Sequence, residues 1–151
     1  MAQATKQRLD AMVVADSLRP TLLRLARELR RHKIAGVSPH QVGLLVAIKY
    51  APGVTVGELA AGERVSTAAM SKRVSRLQRD GLVARTKSEA DRRCVGLTLT
   101  EEGQRTLRRV RSRRTAWLAS RLNALSPAEL ASVGAAAESL ARLLEIEEGG
   151  A

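Results

Sequence analysis

The sequence predicts a mainly α, α+β fold of six helices and one two-stranded hairpin, and three observations carry that expectation. Apolar residues recur at spacings of three and four over most of the 151 residues, with helix-start signals at Ser38, Thr55, Ser66, Thr100 and Ser126. Strand-like alternation is confined to one stretch, Leu82–Arg85 and Val95–Leu99, separated by the polar, turn-rich segment TKSEADRRC. The formal net charge of +11 is blocked along the chain: residues 1–33, 63–93 and 101–121 each carry +5, residues 34–62 carry zero and residues 122–151 carry −4.

Residues 9–33 read as an amphipathic helix with Val14, Leu18, Leu22, Leu25 and Leu29 on one stripe. Pro20 predicts a kink or a fresh start near Arg19, and Ala35–Gly36 ends the element. Ser38, Pro39 and Gln41 supply a cap, a first-turn proline and a capping-box partner for a second helix to about Tyr50. Its run VGLLVAI is apolar all round, which predicts a central, buried element. Ala51-Pro52-Gly53 stops it. Thr55 and Glu58 open a short helix carrying Leu59 and Ala60, and Gly62-Glu63-Arg64-Val65 forms a tight turn. Ser66 caps the next helix to about Asp80, with Gly81 as its left-handed terminator.

In that helix Met70, Val74 and Leu77 mark the inward face, leaving Thr67, Ala68, Ser71, Lys72, Ser75, Arg76 and Arg79 outward. A face that is small and polar at its N-terminal end and basic further along suits a recognition helix in a DNA major groove. The hairpin then follows as a basic wing. Arg92 and Arg93 fall near its tip, where a narrow minor groove attracts arginine, and Asp91 can orient a guanidinium through charge-assisted hydrogen bonds. Thr100 caps a long helix to about Ala124, with Glu101 and Glu102 in its first turn and Leu107, Val110, Trp117, Leu118 and Leu122 along it. Arg105, Arg108, Arg109, Arg111, Arg113 and Arg114 make this helix unusually basic. A last helix runs from Ser126-Pro127 to about Glu145 with Leu130, Val133, Ala137, Leu140 and Leu144 on one side, followed by an acidic, frayed tail.

Composition narrows the function classes. The sequence pI near 11.3 points to a polyanionic partner. A single cysteine, Cys94, excludes a disulfide scaffold, and no apolar run approaches the roughly 20 residues that span a bilayer. The N-terminus lacks a signal-peptide pattern, so a cytoplasmic protein is expected. Tyr50, Trp117 and the absence of Phe disfavour stacking platforms for single strands, and both aromatics read as core. His32 and His40 have no metal-ligand spacing, and neither a nucleophile–base constellation nor a phosphate-cradling glycine loop is present; no cofactor and no enzyme activity are expected.

The order helix, helix, helix-turn-helix, wing, long helix, final helix resembles the MarR (multiple antibiotic resistance regulator) family of bacterial transcription regulators over roughly residues 15–145. The residues that carry the resemblance are Glu58-Leu59-Ala60, Val65-Ser66, Leu77, Gly81-Leu82-Val83, Arg85, Asp91-Arg92-Arg93, Leu97-Thr98-Leu99-Thr100 and Gly103. It implies one domain over 1–151: a winged helix-turn-helix lobe at about 38–100, and helices at about 9–37 and 101–146 that interlock in an obligate homodimer. The apolar stripes of the terminal helices agree, since a compact winged lobe leaves them nothing of their own chain to cover. The resemblance further implies that Ser66, Thr67, Ala68, Ser71, Lys72 and Arg76 approach the major groove of a pseudo-palindromic operator. Arg93 enters the minor groove with Asp91 holding it, and Arg85, Lys87 and Arg92 meet phosphates. Many relatives release DNA on binding a small anionic or phenolic effector between dimer base and DNA-binding lobe, and positions matching Ser71 and Arg85 contact aromatic acids in some. Arg73, where relatives often have an apolar residue, and Arg64, in a turn where glycine is common, depart from the pattern.

The expected function is therefore a sequence-specific transcriptional regulator, a repressor of nearby genes relieved by a small ligand. Its competitors are a basic architectural protein that coats DNA without reading it, a redox-sensing regulator acting through Cys94 beside the wing arginines, and a protein-interaction module using the Arg105–Arg114 helix.

Overall fold

The computed structural model describes residues 2–87 and 95–145, which fall into two compact units, residues 1–114 and 115–151. In chain order the described elements are α1 (Ala2–Arg31), α2 (Pro39–Tyr50), α3 (Val56–Gly62), α4 (Thr67–Arg79), β1 (Val83–Lys87), β2 (Val95–Leu99), α5 (Glu101–Leu122) and α6 (Pro127–Leu143). The mainly α fold with a two-stranded wing is thus as the sequence predicts.

The start signals act as hydrogen bonds. Ser38 Oγ accepts from Gln41 N–H at 3.2 Å while Gln41 Oε1 accepts from Ser38 N–H at 2.8 Å, and Thr55 with Glu58 and Ser126 with Glu129 repeat the reciprocal box. Each satisfies donors that the first turn of a helix leaves unpaired. Two expectations for α1 need correction. No fresh start occurs near Arg19: the helix runs through Pro20, which deletes only its own N–H, while Thr21 Oγ1 donates to the neighbouring Ser17 carbonyl at 3.4 Å. The helix also stops at Arg31 rather than at Ala35–Gly36, and Gly36 takes a φ of +84° in the turn beyond.

In the first unit the core is aliphatic. Leu44, Leu45 and Ile48 of α2 meet Leu59 and Ala60 of α3, Met70, Val74 and Leu77 of α4, and Leu82, Val83 and Leu97 at the base of the hairpin. Burying a leucine contributes about 1.5–3 kcal/mol, so this cluster is what holds α3 and α4 at a fixed crossing. Tyr50 is not part of it: at 80% exposed it lies on the polar end of α2, with the Lys49 ammonium 5.8 Å from its ring centre. In the second unit Trp117 is only half-buried, its ring 5.7 Å from the Arg121 guanidinium, so neither aromatic is the core residue expected.

The hairpin pairs antiparallel from Val83↔Leu99 to Lys87↔Val95. Its second edge is met by Val54: Gly53 N–H donates to Leu97 O at 2.8 Å and Leu97 N–H to Val54 O at 2.9 Å. A Cβ on Gly96 would lie 2.5 Å from Gly53 O, so glycine is required for that approach.

The ends of α3 and α4 share one design. Leu82 N–H reaches back to Leu77 O at 2.9 Å and Gly81 N–H to Gln78 O at 3.0 Å, with Gly81 at φ +70°, a complete Schellman terminator. After α3 the same left-handed position is held by Arg64 at φ +53°, with Val65 N–H bonded to Ala60 O at 3.0 Å. Hence the turn position at which Arg64 replaces the usual glycine does demand positive φ. Arg64→Gly is expected to raise stability to denaturant by about 1 kcal/mol, because an L residue is strained there. Gly103→Ala is expected to lower it by about 1–3 kcal/mol, because the new Cβ would collide with the Leu82 carbonyl. Urea titrations of both variants check the opposite signs.

Candidate nucleic-acid interface

The helix-turn-helix is α3, the turn at Glu63–Arg64 and α4, and its placement follows from the core. Met70, Val74 and Leu77 are fully buried, which fixes the rotation of α4 about its own axis. The opposite face is therefore set as well: Thr67, Ala68, Lys72, Ser75, Arg76 and Arg79 are exposed, and Ser71 is half-buried at the margin. Ser66 is the exposed N-cap, its Oγ accepting from Ala69 N–H at 3.2 Å, so that hydroxyl is committed to the helix end. Arg73, the departure noted in the sequence, is half-buried beside the inward face.

Two side-chain amides that sequence reasoning did not single out hold the far end of α4. Gln78 Oε1 accepts from Arg85 Nε at 3.0 Å, tying β1 to the helix and orienting that arginine. Gln41, already in the α2 capping box, donates from Nε2 to Asp80 Oδ2 at 3.2 Å and so fastens the C-cap of α4 to the start of α2. The Gln41 cap signal was visible in the sequence; its second bond joins residues 39 positions apart and leaves no local trace.

Charge pairing separates the basic helices. On α5, Arg105 bonds Glu101 at 2.5 Å and Arg109 bonds Glu102 at 2.8 Å, so part of its charge is answered within the helix. On α4, no carboxylate among the described residues pairs with Lys72, Arg76 or Arg79. An exposed cationic face without internal counter-ions is free to exchange solvent ions for phosphates. Lys87 ends β1, beside the wing. Asp91, Arg92, Arg93 and Cys94 lie outside the described residues. The structure therefore brings Ser66, Thr67, Ala68, Ser71, Lys72 and Arg76 onto one helix and places Arg85 against it.

Among the described residues no three His, Cys, Asp or Glu side chains gather as a metal site, and no helix is long and apolar enough to cross a membrane.

Comparison with known proteins places this geometry in context. Residues 35–93 match the MarR family profile. The chain is similar to the HTH-type transcriptional repressor MdtR of Bacillus subtilis, 32% identical over 113 residues, covering 75% of this chain and 73% of that protein. An uncharacterised HTH-type transcriptional regulator of Mycobacterium bovis is 31% identical over 137 residues, 90% of this chain and 95% of that protein. A crystal structure described as a transcriptional regulator protein from Pseudomonas aeruginosa superposes with a TM-score of 0.78 at 32% identity, covering 92% of this chain and 98% of that one.

The Thr55 hydrogen bonds to backbone and hydroxyl hold the Glu58 carboxyl below its ordinary value of 4.5. A folded-state pKa below the unfolded one gives stability that is present above the unfolded value and lost as pH falls through the folded one. Acid unfolding of wild type should accordingly show a steeper loss below pH 4.5 than Glu58→Gln, whose amide keeps a cap acceptor but does not titrate; circular dichroism against pH checks this.

Proposed function

The chain belongs to the MarR family and is a DNA-binding transcriptional regulator rather than an enzyme, and from that premise we propose that it acts as a homodimeric, operator-specific repressor of nearby genes, relieved by a small ligand. The observation that carries specific reading is the α4 face. Its first two turns are small and polar, its later turns carry unpaired cations, and its rotation and far end are fixed by the core, Gln41 and Gln78. A coating protein has need only of the cations; base edges require small polar groups held in register.

Support for a dimer comes from what is left uncovered. Met12, Val13, Val14, Leu22 and Leu23 of α1 and Leu130, Val133 and Leu143 of α6 are all exposed, and α6 has no buried residue. Helices with apolar stripes of this length are stable in water when something covers them, and a second copy with the same stripes does so by two-fold symmetry. In this reading residues of about 9–37 and 101–146 form the base, and about 38–100 form the DNA-binding lobe.

Ser66, Thr67, Ala68, Ser71, Lys72 and Arg76 then enter the major groove, Ser71 and Lys72 nearest the bases. Arg85, held by Gln78, meets phosphate with Lys87 and Arg92, while Arg93, steadied by Asp91, reaches the minor groove. The repressor sign follows MdtR, a protein named as a repressor. Ser71 and Arg85 would also face an aromatic acid if the effector seats there. The protein works at DNA inside the cell in this account, with Cys94 serving as a wing residue rather than a redox switch.

Electrophoretic competition tests the specific reading: own-promoter duplex should resist displacement by unrelated duplex, and equal displacement by both contradicts it. Lys72→Ala and Arg93→Ala should each weaken operator binding about 5- to 100-fold, the range of about 1–3 kcal/mol for a base or groove contact. Affinity should fall with salt, log K dropping by about 0.9 per phosphate contacted, and the slope should shrink by about 1 in Arg76→Ala.

A further inference from the structure

We propose that a cleft on the first unit, between the C-terminal end of α2, strand β2 and the first half of α5, binds a small organic anion: a carboxylate on a compact apolar body. The cleft holds about 500 Å³ and is lined by Ile48, Lys49, Pro52, Thr98, Leu99, Gln104, Arg108 and Arg111. That volume lies in the range of small-molecule sites.

The lining chemistry selects the ligand. Lys49, Arg108 and Arg111 contribute three cations, and no carboxylate lines the cleft. Among the described residues neither Arg108 nor Arg111 has an ion-pair partner, in contrast to Arg105 and Arg109 on the same helix, which are held by Glu101 and Glu102. Three like charges around one concavity repel one another, and a single anion relieves all three contacts at once. Leu99 and Pro52 form apolar walls over the fully buried Ile48. A bare inorganic ion leaves those walls wet, and a neutral apolar molecule leaves the cations without a counter-charge. An amphiphilic anion satisfies both, with the Thr98 hydroxyl and the Gln104 amide available as further hydrogen-bonding groups.

The site is distinct from Ser71 and Arg85, which do not line it. Its regulatory consequence rests on the DNA-binding reading. Thr98 and Leu99 belong to β2, the strand that returns from the wing, so a ligand that draws Lys49, Arg108 and Arg111 together fixes the wing base against α2 and α5. The wing, rather than α4, is then what the ligand repositions.

Calorimetric titration of the full chain without DNA, with benzoate, cyclohexanecarboxylate and inorganic phosphate at constant ionic strength, tests the proposal. At least one organic carboxylate should bind saturably and phosphate should not reach saturation in the same range. Arg108→Ala/Arg111→Ala should weaken the carboxylate about tenfold or more, as expected for losing charge-assisted bonds; Arg105→Ala, outside the cleft, should not. If the double variant fails to fold by circular dichroism, Lys49→Met takes its place. Absence of saturation by both carboxylates, equal binding of phosphate, or unchanged affinity in the cleft variants overturns the site. So does a cleft variant that loses duplex affinity with no anion present, which would make these cations DNA contacts. Gel shift of wild type without anion reads the DNA-binding function alone, so failure there is distinguishable from failure of the site; carboxylate that binds yet leaves the gel shift unchanged overturns the regulatory role.

Discussion

At Gly81–Leu82 three elements are tied by a few backbone atoms, and the geometry of the DNA-binding lobe descends from that joint. Gly81 takes the left-handed conformation that ends α4, and Leu82 turns back to bond Leu77 O while its own side chain enters the core. The two carbonyls then serve the next helix. Gly81 O accepts from Thr100 Oγ1 at 2.6 Å, Leu82 O accepts from Thr100 N–H at 3.1 Å, and Thr100 Oγ1 in turn accepts from Gly103 N–H at 3.0 Å to cap α5. Gly103 packs so closely on the Leu82 carbonyl that no side chain fits between them. Recognition helix, wing and long helix therefore share one anchor, and a change in any of them is felt by the others. This is where the strongest positional constraint in the chain lies, more than in the exposed arginines.

Around that joint, charge is distributed by whether it is answered. The arginines of the first turns of α5 are paired with glutamates of the same helix, and exposed pairs of this kind contribute little to stability. Those of α4 are left to solvent, on a face whose orientation the core dictates. Net charge alone said only that a polyanion is the partner; the division between answered and unanswered cations says which surface meets it. The same distinction isolates Lys49, Arg108 and Arg111, whose cleft sits on the opposite side of the fold's logic, beside the strand that carries the wing rather than on the reading face.

Much of this was legible in the sequence because it is local. A capping box spans four residues, a Schellman glycine terminates its own helix, and the inward stripe Met70, Val74 and Leu77 declares its face by spacing alone. Arg64 is instructive: the turn chemistry predicted glycine, and the positive φ found there shows the rule was sound and the residue an exception to it. What was not legible depends on residues distant in sequence or on cooperativity along a helix. Pro20 was read as a break because its neighbours' ability to carry the helix past one missing bond is not a local property. Tyr50 was read as core from residue type, whereas its place on the last turn of α2 puts it in water. The Val54–Leu97 bridge, the Gln41–Asp80 and Gln78–Arg85 bonds and the cationic cleft each join segments whose proximity only the fold creates.

The central claim is that two copies of this lobe read DNA together, at a spacing set by the terminal helices. Hydroxyl-radical footprinting on the chain's own upstream duplex tests it most directly. The account predicts two protected stretches related by a dyad, centred about one helical turn or ~34 Å apart. A single unbroken zone of protection that lengthens with protein concentration, with no dyad, would contradict it.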